Sequence, residues 1–391
     1  MNWKEFTQKS ALKDLTSIGA ANIIGSGISG IFWFYLAALI GTDGYGELSY
    51  LLAIVGIISA VASFGSGYTT IVYTAKNINI LPATFTITVI GSATAAFALY
   101  LGLNNPSLSV YVLTYVVFNL GTAVLMGLKQ FKKYAIFVIS QKIIMVALVI
   151  TLYQFYDNNG VIFGYALSFL IFAPIIYKEI KIRGIQLSII KPRLGFMFNS
   201  YGIDLVRAFL GNTDKLIVGP LFGLSLLGNY HLALQFLIVA TIVPNIVMQY
   251  TLPRDSGGQS SEKLKKLTIV FSTSVAIVGI VIGPSLISWL FPQYLDAISI
   301  IQIIIIAVIP RTISLNFMSK FLGMEKSRFV IIATVIFLGI QIPTIILLGE
   351  AFGALGIAIS LVLAETAQAV FYIISNKIFL GKQKMKNNTE N

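Results

Sequence analysis

"LIGTDGYGELS" (39–49) returns later in the chain as "LFGLSLLGNYHL" (221–232), with Gly41 over Gly223 and Gly46 over Gly228 at an offset of 182. Two further pairs follow in the same order. "LMGLKQFKKY" (125–134) resembles "FLGMEKSRFV" (321–330), with Gly127 over Gly323 at an offset of 196. "GYALS" (164–168) resembles "GIAIS" (356–360) at an offset of 192. Each match is short, but the three are collinear and differ only by small insertions. They predict an internal repeat of the whole chain.

The repeats lie in apolar sequence. Of 391 residues 57% are hydrophobic and 11% charged, against about 45–50% and about 25% in soluble domains. The chain reads as an all-α integral membrane protein. Crossing the hydrocarbon takes about 20 apolar residues, and twelve such spans can be marked: 15–40, 46–73, 81–103, 108–128, 134–155, 160–178, 196–222, 228–252, 267–290, 295–319, 329–349 and 354–376. The short alternation of barrel strands is absent. The first span is too long for a cleaved signal peptide and lacks a clear cleavage site.

Lys and Arg fix the orientation, because they accumulate in cytoplasmic loops. With the N-terminus inside, all but four of the 27 fall in the N-terminal arm, the even-numbered loops and the tail. The odd-numbered loops carry Asp43, Glu47, Asp157, Asp296 and Glu350 instead. The formal charge of +12 is thus a topology signal and not a nucleic-acid footprint, and both termini are expected in the cytoplasm. Six spans separate the repeated motifs, an even number, so the two copies enter the membrane in parallel. The expected organisation is an amphipathic arm (1–14), a six-helix lobe (15–180), a basic linker (181–195), a second six-helix lobe (196–380) and a disordered polar tail (381–391). Transporters built from parallel repeats hold substrate between the halves near the midplane, so a central cavity is expected.

Seven charges remain inside spans: Lys142, Arg207, Lys215 and Arg311, with Asp204, Asp214 and Glu365. Four of them lie in span 7, in "YGIDLVRAFLGNTDKLIVG" (201–219). On a helix, Asp204, Arg207, Asp214 and Lys215 fall within about 100° of arc along about 16 Å. The repeat places Asp204 over Asn22, Arg207 over Gly25, Asp214 over Phe32 and Lys215 over Trp33. The first copy of the helix dispenses with all four charges, which argues for function. The competing account is local pairing, Asp204 with Arg207 and Asp214 with Arg207 or Lys215. An inert buried pair, however, is often no better than apolar packing. Lys142 and Arg311 each lie nine residues from a loop cation, about 13 Å inside the cytoplasmic edge. Intramembrane cations face a bundle interior or water, and Arg suits bidentate phosphate binding. Arg207, Arg311, Lys215 and Lys142 are therefore the candidate substrate ligands. Asp204, Asp214 and Glu365 are the candidates for charge pairing or ion coupling. Lys142 can also snorkel to the interface.

Other classes are poorly served. The chain has no Cys and one His, His231, which excludes thiolate chemistry and multi-His metal sites; His231 reads as an interfacial residue. No phosphate-binding GxxxxGK[ST] loop occurs, no cofactor is expected, and no outer loop is long enough for the catalytic domain of a membrane polymerase or ligase.

"NTDKLIVGPLFGLSLLGNYHLA" (212–233), with its Asp-Lys helix followed by a short glycine and tyrosine turn, and "GALGIAIS" (353–360) resemble the oligosaccharide-lipid flippases of polysaccharide export (O-antigen flippase-like). These belong to the multidrug/oligosaccharidyl-lipid/polysaccharide exporter superfamily. The resemblance implies a MATE-like fold and no enzymatic activity. The implied function is passage of a polyprenyl-phosphate-linked oligosaccharide from the cytoplasmic to the outer leaflet. The setting it implies is the plasma membrane of a prokaryote, among membrane lipids and the glycosyltransferases or polymerase of the pathway, with the chain as a monomer. It matches Arg207, Lys215 and Arg311 by type and placement. A multidrug cation antiporter of the same fold is the alternative.

Overall fold

The turn that repeats in the sequence repeats in the backbone. Gly41 (φ 74°, ψ 178°) and Gly223 (φ 93°, ψ 159°) share a conformation closed to residues with a Cβ. Each makes a corner between two helices. The structure is a computed structural model. It describes the backbone of residues 3–183, 187–256 and 261–389, with side chains between 24 and 378 apart from 182–186, 253 and 256–260.

Every regular element among the described residues is helical. Seven stretches are long and apolar enough to cross a membrane, and the bent pair Leu224–Ala240 and Ile242–Leu252 makes an eighth. Three of the seven hold two spans each. The helix α1 (Trp3–Ser63) breaks at Gly41, α5 (Phe131–Ser168) at Asp157, and α13 (Ser327–Thr389) at Gly353. With α2 (Ser66–Ala75), α3 (Leu81–Leu103), α4 (Pro106–Gly127), α6 (Ala173–Arg183), α7 (Leu194–Phe222), α8 (Leu224–Ala240), α9 (Ile242–Ser256), α10 (Glu262–Leu290), α11 (Ala297–Ile304) and α12 (Val308–Gly323), helix covers all twelve expected spans. Its charged and polar residues keep α7 out of the apolar set.

The ends differ from expectation. From Trp3 to Gly41 α1 runs as one helix, so residues 3–14 of the arm are its first turns; the side chains of Trp3, Phe6 and the arm lysines lie outside the described residues. The helix α13 continues to Thr389 through the polar stretch for which composition predicts disorder. Between α6 and α7 the basic linker holds a short 3-10 helix, Leu187–Arg193.

The backbone also corrects one register. Lys129 (φ 56°) and Glu325 (φ 59°) share a left-handed turn at an offset of 196. Asp157 (φ 47°, ψ −134°) and Gly353 (φ 57°, ψ −134°) share a corner at the same offset. A Cβ on Gly160 would stand 2.1 Å from the Leu152 carbonyl oxygen, and one on Gly356 1.8 Å from that of Leu348. Gly356 therefore corresponds to Gly160 and not to Gly164, whose neighbour is Val149. The offset of 192 read from the sequence is one helical turn short.

Asp157 occupies a region that is essentially glycine's, at a cost of order 1–3 kcal/mol. Asp157→Gly is expected to raise the thermal unfolding temperature by an amount equivalent to about 1 kcal/mol. The same measurement on Gly353→Ala is expected to show a loss.

The chain packs as two compact units. The first comprises the chain up to Trp33 with Tyr50–Asn212; the second comprises Phe34–Ser49 and the chain from Thr213 onward. The division cuts α1 and α7 mid-helix, whereas the sequence suggested boundaries at 180 and 196. In the first unit Leu81, Val116, Leu120, Val124 and Ile176 form one apolar cluster and Leu125, Val138 and Phe172 another. A buried hydrogen bond from Gln141 to Ser168 (2.7 Å) ties the two arms of α5. In the second unit Phe321, Ala333 and Tyr372 pack α12 against α13. Ser272–Thr312 (2.7 Å) and Thr251–Ser319 (2.9 Å) fasten α12 to α10 and α9. Hydroxyl pairs of this kind glue helices in lipid, where apolar contact alone gives no preference for protein over solvent.

Within the second unit the starts of two helical segments cross with no side chain between them. A Cβ on Gly46 would stand 1.9 Å from the Leu224 carbonyl oxygen, and one on Gly228 1.9 Å from that of Thr42. Gly46→Ala therefore forces backbone apart. A destabilisation of about 3 kcal/mol is expected, read as a drop in unfolding temperature with Gly27→Ala, which meets nothing within 4 Å, as the unaffected control.

Candidate functional site

In the first unit, the part of α7 before Thr213 presents Asp204 and Arg207. Arg207 is exposed, and its Nη1 donates to the Tyr68 hydroxyl on α2. The guanidinium carbon lies 5.4 Å from the centre of the Tyr68 ring. Lys142 on α5 is half-buried, its Nζ 3.4 Å from the Tyr165 hydroxyl and 5.5 Å from that ring centre. The Lys142 stem passes Gly25 of α1, whose missing side chain leaves room for it: a Cβ there would meet Lys142 Cγ at 3.9 Å. Two cations of one unit thus each rest on a tyrosine. A phenol accepts a hydrogen bond and offers its ring face, but it does not neutralise the charge.

The Asp204–Arg207 pair of the competing account does not form among the described residues, whose ion pairs are Lys215–Asp214, Lys265–Asp255 and Arg311–Glu365. Arg207 directs one nitrogen, Nη1, to the Tyr68 hydroxyl instead. Asp204 is half-buried, within electrostatic reach of Arg207 and of Tyr115 on α4.

In the second unit Asp214 is buried and doubly held. Its Oδ1 accepts from the Lys215 ammonium (3.3 Å) and backbone N–H (2.9 Å), and its Oδ2 from the Tyr230 hydroxyl (3.0 Å). Arg311 follows Pro310, which lacks an N–H for the preceding turn. The three residues before α12, Ile305–Ala307, wind as a 3-10 helix at that point. Arg311 Nη1 lies 3.7 Å from Glu365 Oε1; the Glu365 side chain is 6% exposed and that of Arg311 39%. Tyr230 lies within electrostatic reach of Arg311 and Glu365 as well as Asp214, so the four belong to one neighbourhood. His231, read from the sequence as interfacial, is enclosed by protein. It is buried in α8, its ring 4.9 Å from that of Tyr45 and its Nε2 3.3 Å from Gln235.

The corrected repeat says what the fold requires here. At an offset of 196 Arg311 corresponds to Tyr115 and Glu365 to Phe169. Tyr115 and Phe169 also meet, with ring centres 6.0 Å apart. The same helical crossing is filled by an aromatic contact in one unit and an ion pair in the other. The first unit packs this crossing without charge, which argues for a role of the ion pair beyond packing.

The four cations are thus not gathered on shared partners. Arg207 and Lys142 belong to one unit, each on its own tyrosine; Lys215 and Arg311 belong to the other, each on a carboxylate. Tyr68 and Tyr165 under the cations, and Tyr230 on Asp214, carry no mark in the sequence that separates them from the other tyrosines of the spans. Among the described residues no three His, Asp or Glu side chains converge as metal ligands would.

Neither a protein-family model nor any curated protein matches the sequence. Solved structures do. An inward-facing multidrug resistance MATE family transporter of the MOP superfamily superposes with a TM-score of 0.71, covering 92% of this chain and 95% of its own at 13% identity. The fold is MATE-like. A second match, the lipid II flippase MurJ in an inward closed conformation, has a TM-score of 0.72 over 94% of this chain and 87% of its own, at 14% identity. The MATE transporter of Vibrio cholerae, in a mutant form, has a TM-score of 0.61 over 96% and 98%, also at 14%. A drug transporter and a lipid flippase fit the MATE-like chain equally well, so the fold separates it from neither, and the choice rests on the intramembrane charges.

Proposed function

We propose that the chain is a flippase that moves a polyprenyl-phosphate-linked oligosaccharide from the cytoplasmic to the outer leaflet, by alternating access, for polysaccharide or glycoconjugate synthesis. One observation carries the reading. Arg207 stands exposed within a membrane span, oriented by a tyrosine and paired with no carboxylate among the described residues. A guanidinium so held keeps its charge and part of its donor fork for a phosphate. Arg311 is the second phosphate ligand, since its partly exposed guanidinium reaches past Glu365 at a long 3.7 Å. Lys215 and Lys142 are secondary contacts. Asp204, Asp214 and Glu365 balance charge when substrate is absent. The protein works as a monomer in the plasma membrane of a prokaryote with both termini cytoplasmic, alongside the glycosyltransferases or polymerase of its pathway, and breaks no bond.

Gentle extraction of the full chain followed by native mass spectrometry tests the reading. The expected result is a co-purifying phospholipid-linked sugar that is lost from Arg207→Gln. An empty wild-type protein that instead binds a lipophilic cation such as tetraphenylphosphonium would sink it. Asp204 favours that second reading, a multidrug cation antiporter: it is a half-buried acid that enters no ion pair among the described residues. Under it, Asp204→Asn abolishes cation binding and Arg207→Gln does not.

A further inference from the structure

The second unit holds a cavity among the lysines at the start of α10 and the end of α12. It measures about 420 Å³ and is lined from α9, α10, α12 and α13, within the range of small-ligand sites. Its wall is built and not incidental. Lys265 Nζ lies 2.5 Å from Asp255 Oδ2, the same oxygen accepts from the Ser319 hydroxyl at 2.7 Å, and Asn316 donates to the Lys265 carbonyl at 3.1 Å. Those bonds engage one oxygen of Asp255 and balance its charge against Lys265. Lys266 and Lys320 then face the cavity together with Glu262, none of the three in an ion pair among the described residues. The net charge offered is positive.

Two further features narrow the ligand. Asn376 lines the same cavity, and its Oδ1 is buried with no hydrogen-bond partner. A phosphate oxygen cannot satisfy it, because a carbonyl oxygen needs a donor; a hydroxyl can. The remaining lining, Ile269, Ile313, Phe317 and Met324, is apolar and suits carbon skeleton.

We propose that this cavity binds a phosphate ester bearing free hydroxyl groups, its phosphate on Lys266 and Lys320 and a hydroxyl donating to Asn376 Oδ1. Two sources share that chemistry: the headgroup of a glycerol phospholipid in the facing leaflet, and a soluble sugar or glycerol phosphate. The site uses none of the residues assigned to translocation, so it stands or falls apart from the flippase reading.

The test uses the full-length protein in phosphatidylcholine nanodiscs, titrated calorimetrically with dihexanoyl phosphatidylglycerol, dihexanoyl phosphatidic acid and glycerol phosphate. Saturable binding of phosphatidylglycerol is expected. Competition by glycerol phosphate assigns a soluble source, and its failure to compete assigns the lipid; either supports the site. Lys320→Gln should weaken binding roughly tenfold and Lys320→Arg should stay near wild type, as expected for one lost charge-assisted bond. The exposed Lys266→Gln repeats the measurement where folding is not at stake. Asn376→Leu should weaken phosphatidylglycerol, which brings hydroxyls, and leave phosphatidic acid unchanged. The proposal is overturned if neither glycerol probe saturates, if both lysine variants bind within about twofold of wild type, or if Asn376→Leu affects both lipids equally.

Discussion

Arg207→Gln is expected to stop glycan export while the protein stays inserted and folded. Losing a desolvated guanidinium from a bound phosphate costs about 3 kcal/mol or more in affinity, over a hundredfold. The loss falls on binding because Arg207 is exposed and its partner in the fold is a phenol, not a carboxylate. Arg207→Lys should retain part of the activity, since charge survives without the planar fork. Tyr68→Phe should lower export less, because the ring face remains under the cation while the hydroxyl that orients it is gone. Had Arg207 served only to balance Asp204, Arg207→Gln would destabilise the protein and Asp204→Asn would rescue both folding and export. Export restored in that double variant would refute the binding role, and quantifying outer-leaflet glycan alongside the unfolding temperature separates the two cases.

The largest stability effect is expected at Asp214, the opposite kind of charge. It is buried, and both its oxygens are engaged, by Lys215 and by Tyr230. Asp214→Ala would strand an ammonium and a phenol with little water to replace their partner, a loss of about 3–5 kcal/mol. Asp214→Asn keeps an acceptor for Tyr230 and should cost less, with Asp214→Asn/Lys215→Gln recovering most of the difference. Thermal unfolding of the three proteins in one detergent checks this; an Asp214→Ala protein that melts with wild type would mean the pair holds nothing together. The two α7 acids thus differ: Asp214 belongs to the packing of its unit, whereas Asp204 does not pair at all among the described residues.

The spans were legible because lipid imposes a simple rule. The sequence reading places α7 at 196–222 against the observed Leu194–Phe222, and 81–103 for α3 is unchanged. The repeat was legible at Gly41 and Gly223 because only glycine makes that corner. It was misread at Gly164 because a shift of four residues keeps the same helical face, so apolar pattern cannot tell one turn from the next; the corner at Asp157 could. The partners of the charges were not legible. Tyr68 lies far from Arg207 in the sequence, and nothing local distinguishes a tyrosine under a cation from one in the apolar packing of Tyr111, Tyr165 and Phe169. The burial of His231 was not legible for the same reason: its shelter comes from Tyr45, on a segment distant in sequence.

Gly46 touches the backbone at Leu224 and Gly228 touches it at Thr42, and these residues are counterparts: Thr42 and Leu224 stand 182 apart, as do Gly46 and Gly228. Residue meets counterpart both ways, which is the geometry of an isologous interface, the kind two identical subunits form about a two-fold axis. The crossing is a homodimer contact written into a single polypeptide. A polypeptide of half the length would need only one glycine to make it, and would make it twice. The fused chain must keep both glycines, because a side chain on either one wedges the same joint.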